Sequence, residues 1–342
     1  MRIAIISTPF IRMPPVGYGG TELFCYELSE GLNRLGHEVT VFSTADSEVG
    51  CELRSLFDAG QWPPEAVTEL SHVAWAFREV AKSRHFDVVH SNSGVGVPFA
   101  QFVTHPVVHT IHHARDEHAS RLYQMHPDVT YVAISHRQLA LEVPLRDGRV
   151  IHHGVDPRRY PSSVHDDGYL AHIGRFCFEK GTHIALEIAQ LARMRILLGG
   201  RVHPQDQVYF EEYVAPRLER SACVHVGELD GEHKRMMLQG ARALVCPLQW
   251  EEPFGLIAIE AMLCGTPVLG FARGSFPEIV DQGVTGFLCD GNIEELARRA
   301  RGLESFDRAA CARRARERFS KETMVARYDA LYRELSAQQH HA

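Results

Sequence analysis

The chain has 342 residues, 45% apolar and 23% charged, a composition that excludes disordered and collagen-like proteins and a length that suits two domains. Lysine and arginine number 36 against 43 acidic residues, a formal charge of −7, which argues against a surface built to grip nucleic acid. The opening apolar run ends at Ser7, too early for a signal peptide, and no apolar stretch of about 18 residues follows; the expectation is a cytoplasmic protein without an integral membrane segment.

Apolar runs alternating with helical periodicity predict βα units on parallel sheets. Arg2 to Thr8 reads as a buried strand, Thr21 to Leu35 as an amphipathic helix closed by Gly36, and Glu38 to Ser43 as the next strand. Asp87 to His90, Val107 to Ile111 and Thr130 to Ile134 extend the series. The turn-forming, charged segment His153 to Ser163 predicts a domain boundary. A second series follows in Tyr169 to Gly174, Arg195 to Gly200, Val224 to Gly227, Ala243 to Pro247 and Pro267 to Phe271. Arg298 to Arg318 carries eight arginines against three acids; a solvated helix face accounts for them better than a patch for nucleic acid, and weak peripheral contact with anionic lipid stays open. Met324, Tyr328, Leu331 and Leu335 recur at helical spacing and need a surface to bury against.

The eight cysteines form no CxxC pair, so reduced, mostly buried thiols are expected rather than a disulfide framework or zinc knuckle. His109, His112, His113 and His118 crowd one segment, but their spacing is not a standard zinc pattern and no carboxylates complete it, so no metal site is expected.

Three segments carry chemistry. The turn Pro14 to Glu22 is glycine-rich but has Glu22 where a dinucleotide fingerprint needs glycine, which weakens a dehydrogenase reading. Its Gly19 and Gly20 instead offer backbone amides at a helix N-terminus, where a phosphate can approach. In Gly174 to Gly181, Arg175 follows a strand and Lys180 opens a helix, two cations suited to a diphosphate at the carboxyl edge of a sheet. In Glu251 to Val268, Glu252 lies in a loop followed by the amides of Phe254, Gly255 and Leu256, while Glu260 falls in an apolar helical stretch, where a carboxylate requires partners.

Gly19-Gly20, Thr110-Ile111-His112, Ile151 to Asp156, Gly174-Arg175 with Glu179-Lys180-Gly181, Glu252 to Glu260, Gly265 to Val268, Gly274 to Glu278 and Gly283 to Phe287 together resemble the retaining, nucleotide-sugar-dependent glycosyltransferases of family 4 over nearly the whole chain. In length and overall look the chain is similar to a member that acts in antibiotic biosynthesis. The resemblance implies an α/β protein of GT-B architecture, two Rossmann-like parallel-sheet domains facing each other across a cleft. Residues 1–155 would form the acceptor side, 156–320 the nucleotide-sugar side, and 321–342 a helix crossing back to the first domain. It implies a nucleotide-sugar donor, expected to be UDP-linked, and a small-molecule or oligosaccharide acceptor, with no metal, since the chain has no Asp-x-Asp triplet. Carried over residue by residue, Glu260 would bind the ribose through both carboxylate oxygens, Arg175 and Lys180 the diphosphate, and Gly20 the distal phosphate. Glu252 would meet the donor sugar near its anomeric centre and His112 would line that sugar. Gly19, Gly174, Gly227, Phe254, Gly255 and Leu256 complete the nucleotide-sugar contacts. The chain departs from the family's pattern at His113, where an aspartate is usual, and at His153, where an asparagine is usual. A nucleotide-sugar epimerase or hydrolase of the same fold, a dinucleotide-dependent oxidoreductase and a non-catalytic scaffold are the alternative readings; the missing fingerprint disfavours the oxidoreductase, and the retention of both glutamates and both cations disfavours the scaffold.

Overall fold

Each βα pair returns the chain to the same edge of its sheet, so every strand pairing is parallel. A computed structural model describes residues 1–17, 19–83, 85–218 and 222–339. The first sheet contains β1 (Arg2–Ile6), β2 (Glu38–Ser43), β3 (Glu52–Ser55), β4 (Val88–Ser91), β5 (Val107–Ile111), β6 (Thr130–Ala133) and β7 (Gly148–Val150), in the order β3-β2-β1-β4-β5-β6-β7. The second contains β8 (Tyr169–Ile173), β9 (Ile196–Gly199), β10 (Cys223–Gly227), β11 (Ala241–Cys246), β12 (Val268–Phe271) and β13 (Gly286–Cys289), in the order β10-β9-β8-β11-β12-β13. The chain is thus two Rossmann-like α/β units, one of Met1–Gly154 with Lys321–Ala342 and one of Val155–Ser320.

Alternation along β1 shows how both faces of the first sheet are buried. Ile3 and Ile5 pack with Val39, Val41 and Val88 beneath Phe24, Leu28 and Leu32 of the helix Gly20–Arg34. Ala4 and Ile6 turn the other way, toward Phe42, Val89 and the Val73, Phe77 and Val80 stripe of the helix Ala66–Lys82. The last helix, Lys321–Gln339, adds Met324, Val325, Tyr328, Leu331, Tyr332 and Leu335 to the first of these cores. Its Val325 sits so close to Gly31 that a Cβ there would stand 2.4 Å from a valine methyl. At its start Lys321 Nζ bonds Glu27 Oε2 at 2.7 Å, both side chains 5% exposed, a pair whose desolvation is offset only while both members are present. The last three residues of the predicted segment 321–342 lie outside the described residues. In the second unit Leu170, Leu198, Val245 and Leu269 share one core with Ala185, Leu186 and Ala189 of the helix Thr182–Ala192 and Leu296, Ala297 and Ala300 of the helix Ile293–Arg301.

The sequence reading omitted β3, β7, β13 and several helices, among them Ala66–Lys82, Glu117–Met125 and Gly231–Gly240. All three omitted strands are sheet edges, where short, polar sequences such as Glu52-Leu53-Arg54-Ser55 are tolerated. The arginine-rich segment also needs correction at one position. Arg308 is 6% exposed and donates to the carbonyls of Ser163, Gln239 and Ala241 and to Thr266 Oγ1, so it staples loops instead of facing solvent. Arg314 and Arg318 both pair with Asp281. The eight cysteines are free thiols, six of them buried. No helix among the described residues is long and apolar enough to cross a membrane.

Candidate functional site

Ligands of open parallel sheets bind where the strand order reverses, outside the carboxyl ends of the strands. In the second unit that point lies between β8 and β11. Gly174 and Arg175 leave β8, a single 3₁₀ turn spans Phe178–Lys180, and Gly181 enters the helix Thr182–Ala192 at φ +69°. A Cβ on Gly181 would stand 2.2 Å from the Pro247 carbonyl oxygen, so glycine lets the loops after β8 and β11 touch. Across that contact Lys180 Nζ bonds Glu252 Oε2 at 2.5 Å, Trp250 Nε1 donates to the same oxygen at 3.0 Å, and the ammonium stands 5.1 Å from the centre of the Trp250 ring. Arg175 Nε lies 3.3 Å from Asp206 Oδ2, without hydrogen-bond alignment, and Nη2 lies 3.8 Å from Glu179. Both predicted diphosphate cations are therefore held by carboxylates at the same loop cluster, half-exposed and able to exchange partners with an incoming anion.

The loop from Glu252 leads into the helix Leu256–Leu263, whose N-cap is Gly255 at φ +84° with no side chain closing the first turn. A Cβ on Gly255 would approach Phe276 to 2.7 Å. The Phe254 ring is buried against Phe319, so its backbone alone borders the helix entrance. One turn into the helix, Glu260 is 5% exposed. Its Oε1 accepts from Tyr160 Oη and from Lys234 Nζ, each at 2.7 Å. Burial and then the negative charge of Glu260 push the Tyr160 phenol pKa up, so Tyr160 stays a donor. This narrows the expectation that both Glu260 oxygens serve a ribose, because one is already committed within the protein. Gly174, Gly199, Gly200 and Gly227 form a backbone shelf at the strand ends, with Gly174 N donating to Gly199 O at 3.0 Å and Gly200 N to Gly227 O at 2.8 Å. Gly227 lies two strands from β8 and is linked to the loop after β8 through Gly200, which packs on the Gly174 carbonyl.

In the first unit the order reverses between β1 and β4. The turn after β1 ends at Gly19, N-cap of the helix that begins at Gly20; Tyr18 lies outside the described residues. Buried Glu22 accepts from Thr8 Oγ1, and burial raises its pKa. After β4, Asn92 N and Nδ2 donate to the Ile6 carbonyl at 2.9 and 3.3 Å, which turns Oδ1 toward His112 Nε2 at 2.9 Å. That geometry assigns the ring hydrogen to Nε2 and leaves Nδ1 as the acceptor. The His112 ring lies parallel to His153 at 5.4 Å and edge-on to Phe24 at 4.9 Å. Burial, with His153 next, holds His112 well below the ordinary histidine pKa.

The crowded histidines go to separate partners: His109 Nδ1 bonds the Ser91 carbonyl at 3.0 Å, His112 bonds Asn92, and His113 stands at the surface. Sequence reasoning missed Tyr160, Lys234, Trp250, Asp206 and Asn92. Only Asn92 had a readable signal, a polar Ser-Asn-Ser run directly after an apolar strand. Tyr160 and Lys234 stand 100 and 26 residues from Glu260.

Two family models match in tandem, Glycosyltransferase Family 4 over residues 18–159 and Glycosyl transferases group 1 over residues 158–322. The chain is 28% identical to a glycogen synthase of Mycobacterium tuberculosis, over 92% of this chain and 89% of that one. It is 26% identical to AviGT4, a glycosyltransferase involved in avilamycin A biosynthesis, with a TM-score of 0.77 and 98% of each chain covered. An Anabaena protein, HepE, crystallised with UDP and glucose, shares the fold at 19% identity and a TM-score of 0.74, over 98% of this chain and all of that one. With both halves matched in order and the fold shared from end to end, the chain belongs to the GT-B glycosyltransferases of the family 4 and group 1 type.

Proposed function

We propose that the protein transfers a sugar, with retention at the anomeric carbon, from a UDP-sugar to a hydroxyl of a small-molecule or saccharide acceptor. The observation that supports this is the Lys180–Glu252 pair at the β8/β11 switch point, with Arg175 on the same loop: the ammonium we assign to the diphosphate stands beside the carboxylate we assign to the donor sugar. Arg175 and Lys180 stabilise the charge that develops on the leaving diphosphate, and the open first turn at Gly255 and Leu256 adds backbone amides. Glu252 holds the donor sugar near its anomeric centre and Glu260 the ribose. With these cations in place the reaction needs no metal. Retention follows a front-face path in which a donor phosphate oxygen takes the acceptor proton. In the first unit, Gly19 and Gly20 are assigned to the distal phosphate and His112 to the donor sugar on the strength of the family resemblance. The uridine assignment draws support from the Anabaena protein crystallised with UDP and glucose. A role in antibiotic biosynthesis rests on the 26% likeness to AviGT4 alone. A cytoplasmic location fits the eight free thiols.

Incubation with a panel of UDP-sugars and hydroxyl acceptors, read by proton NMR of the anomeric signal, tests this. A glycoside with the donor's anomeric configuration is expected; an inverted product, or UDP release at the same rate without acceptor, overturns the reading.

A further inference from the structure

A carboxylate oxygen offers two lone pairs to donors. Tyr160 Oη–H and Lys234 Nζ–H fill both on Glu260 Oε1, each at 2.7 Å. Oε2 takes no bond from either donor and is not among the buried atoms left unpartnered, and the Glu260 side chain is 7% exposed. Lys234 also stands 5.9 Å from the centre of the Tyr160 ring, so the two donors brace one another as well as the carboxylate. Tyr160 comes from the segment after Asp156, Lys234 from the helix Gly231–Gly240 and Glu260 from the helix Leu256–Leu263; three separate elements converge on one oxygen.

We propose that Tyr160 and Lys234 are positioning residues for ribose recognition: by filling Oε1 they fix the carboxylate plane and present Oε2 alone to the vicinal hydroxyls of a ribonucleoside diphosphate. The proposal rests on the assignment of Glu260 to the ribose and adds which oxygen reads it and what aims that oxygen. A braced oxygen cannot turn aside when one hydroxyl is missing, so its lone pair stays empty and the deoxy ligand loses affinity. An unbraced carboxylate swings, finds water or the remaining hydroxyl, and discriminates less.

Calorimetric titration of the full chain with UDP, 2′-deoxy-UDP and 3′-deoxy-UDP, and with ADP and 2′-deoxy-ADP as the base control, measures this. The unaltered protein should prefer the ribose form by roughly 10-fold, and Glu260→Gln should bring that ratio close to one. No preference in the unaltered protein, or a preference that survives Glu260→Gln, overturns the ribose assignment and the proposal with it. With that control as expected, Tyr160→Phe and Lys234→Met should each cut the ribose-to-deoxyribose ratio by about threefold or more, and Lys234→Arg should restore part of it. If both variants weaken all the nucleotides equally and leave the ratio intact, their role is only structural and the positioning proposal falls while the ribose assignment stands. The Lys234 side chain is 26% exposed, so its substitution remains readable if Tyr160→Phe fails to fold.

Discussion

The two units share one plan and differ in the chemistry placed at their switch points. The second gathers charges: Arg175, Lys180 and Lys234 against Asp206, Glu179, Glu252 and Glu260. The first gathers mostly neutral hydrogen-bonding groups beside the buried Glu22. His112 pairs with Asn92 and stacks on His153, while His90 bonds Thr110 and Tyr332 at 2.8 and 2.6 Å. Burial lowers the pKa of His90 and His153 to about 3 and that of His72 and His109 to about 4. The same parallel architecture thus carries charged side chains at one switch point, as the anionic donor proposed above requires, and mostly neutral hydrogen-bonding groups at the other.

The largest expected effect that would sharpen this contrast is in acid. Histidines with a depressed native pKa bind protons more readily in the unfolded chain, whose value lies near 6.5. Their stabilisation is therefore complete above about pH 6.5 and is lost as pH falls toward the native values of 3 to 4. His72, His90, His109, His112 and His153 all lie in the first unit, against buried His172, lowered to about 4, in the second. Hydrogen-exchange protection factors between pH 7 and pH 4 should collapse first in β1, β2 and β5. Simultaneous loss in β11 and β12 would break the comparison.

Next come the cations. Arg175→Ala and Lys180→Ala should each lower kcat by on the order of 100-fold or more, since the leaving diphosphate gains charge in the transition state; a rise in KM alone would reduce them to uniform binding groups. On the neutral side, Asn92→Asp places a carboxylate against the His112 N–H and favours the imidazolium. A loss of roughly tenfold in kcat/KM is expected, with a new ionisation entering the pH profile above the native His112 value. An unchanged profile would remove His112 from the reaction. The smallest expected effect is none: EDTA should leave the rate intact if, as proposed, Arg175, Lys180 and the helix amides take the place of a metal at the diphosphate. Loss in EDTA that manganese restores would overturn that.

The alternation of apolar runs made both sheets legible in the sequence, since a buried parallel strand must be apolar on both faces. The edge strands β3 and β7 escaped because they are short and polar, whereas β10, also an edge, was read from its alternating valines. Glu252 and Glu260 were legible as acids in an apolar neighbourhood, which implies partners without naming them. Tyr160 and Lys234 were not, because a hydroxyl and an ammonium on ordinary surface-like segments become informative only when folding brings them to a particular oxygen. The one-sided use of Glu260 is likewise a property of three elements meeting, and no spacing within one of them encodes it.

The returning helix Lys321–Gln339 has a consequence for synthesis. Chains are made from the N-terminus and domains tend to fold as they emerge, yet the first unit draws Met324, Val325, Tyr328, Leu331, Tyr332 and Leu335 from that helix. The second unit is continuous from Val155 to Ser320 and can complete its core as soon as those residues leave the ribosome. The half translated first is therefore the half finished last. In the interval, the face that Tyr328 and Tyr332 will cover stays open to water.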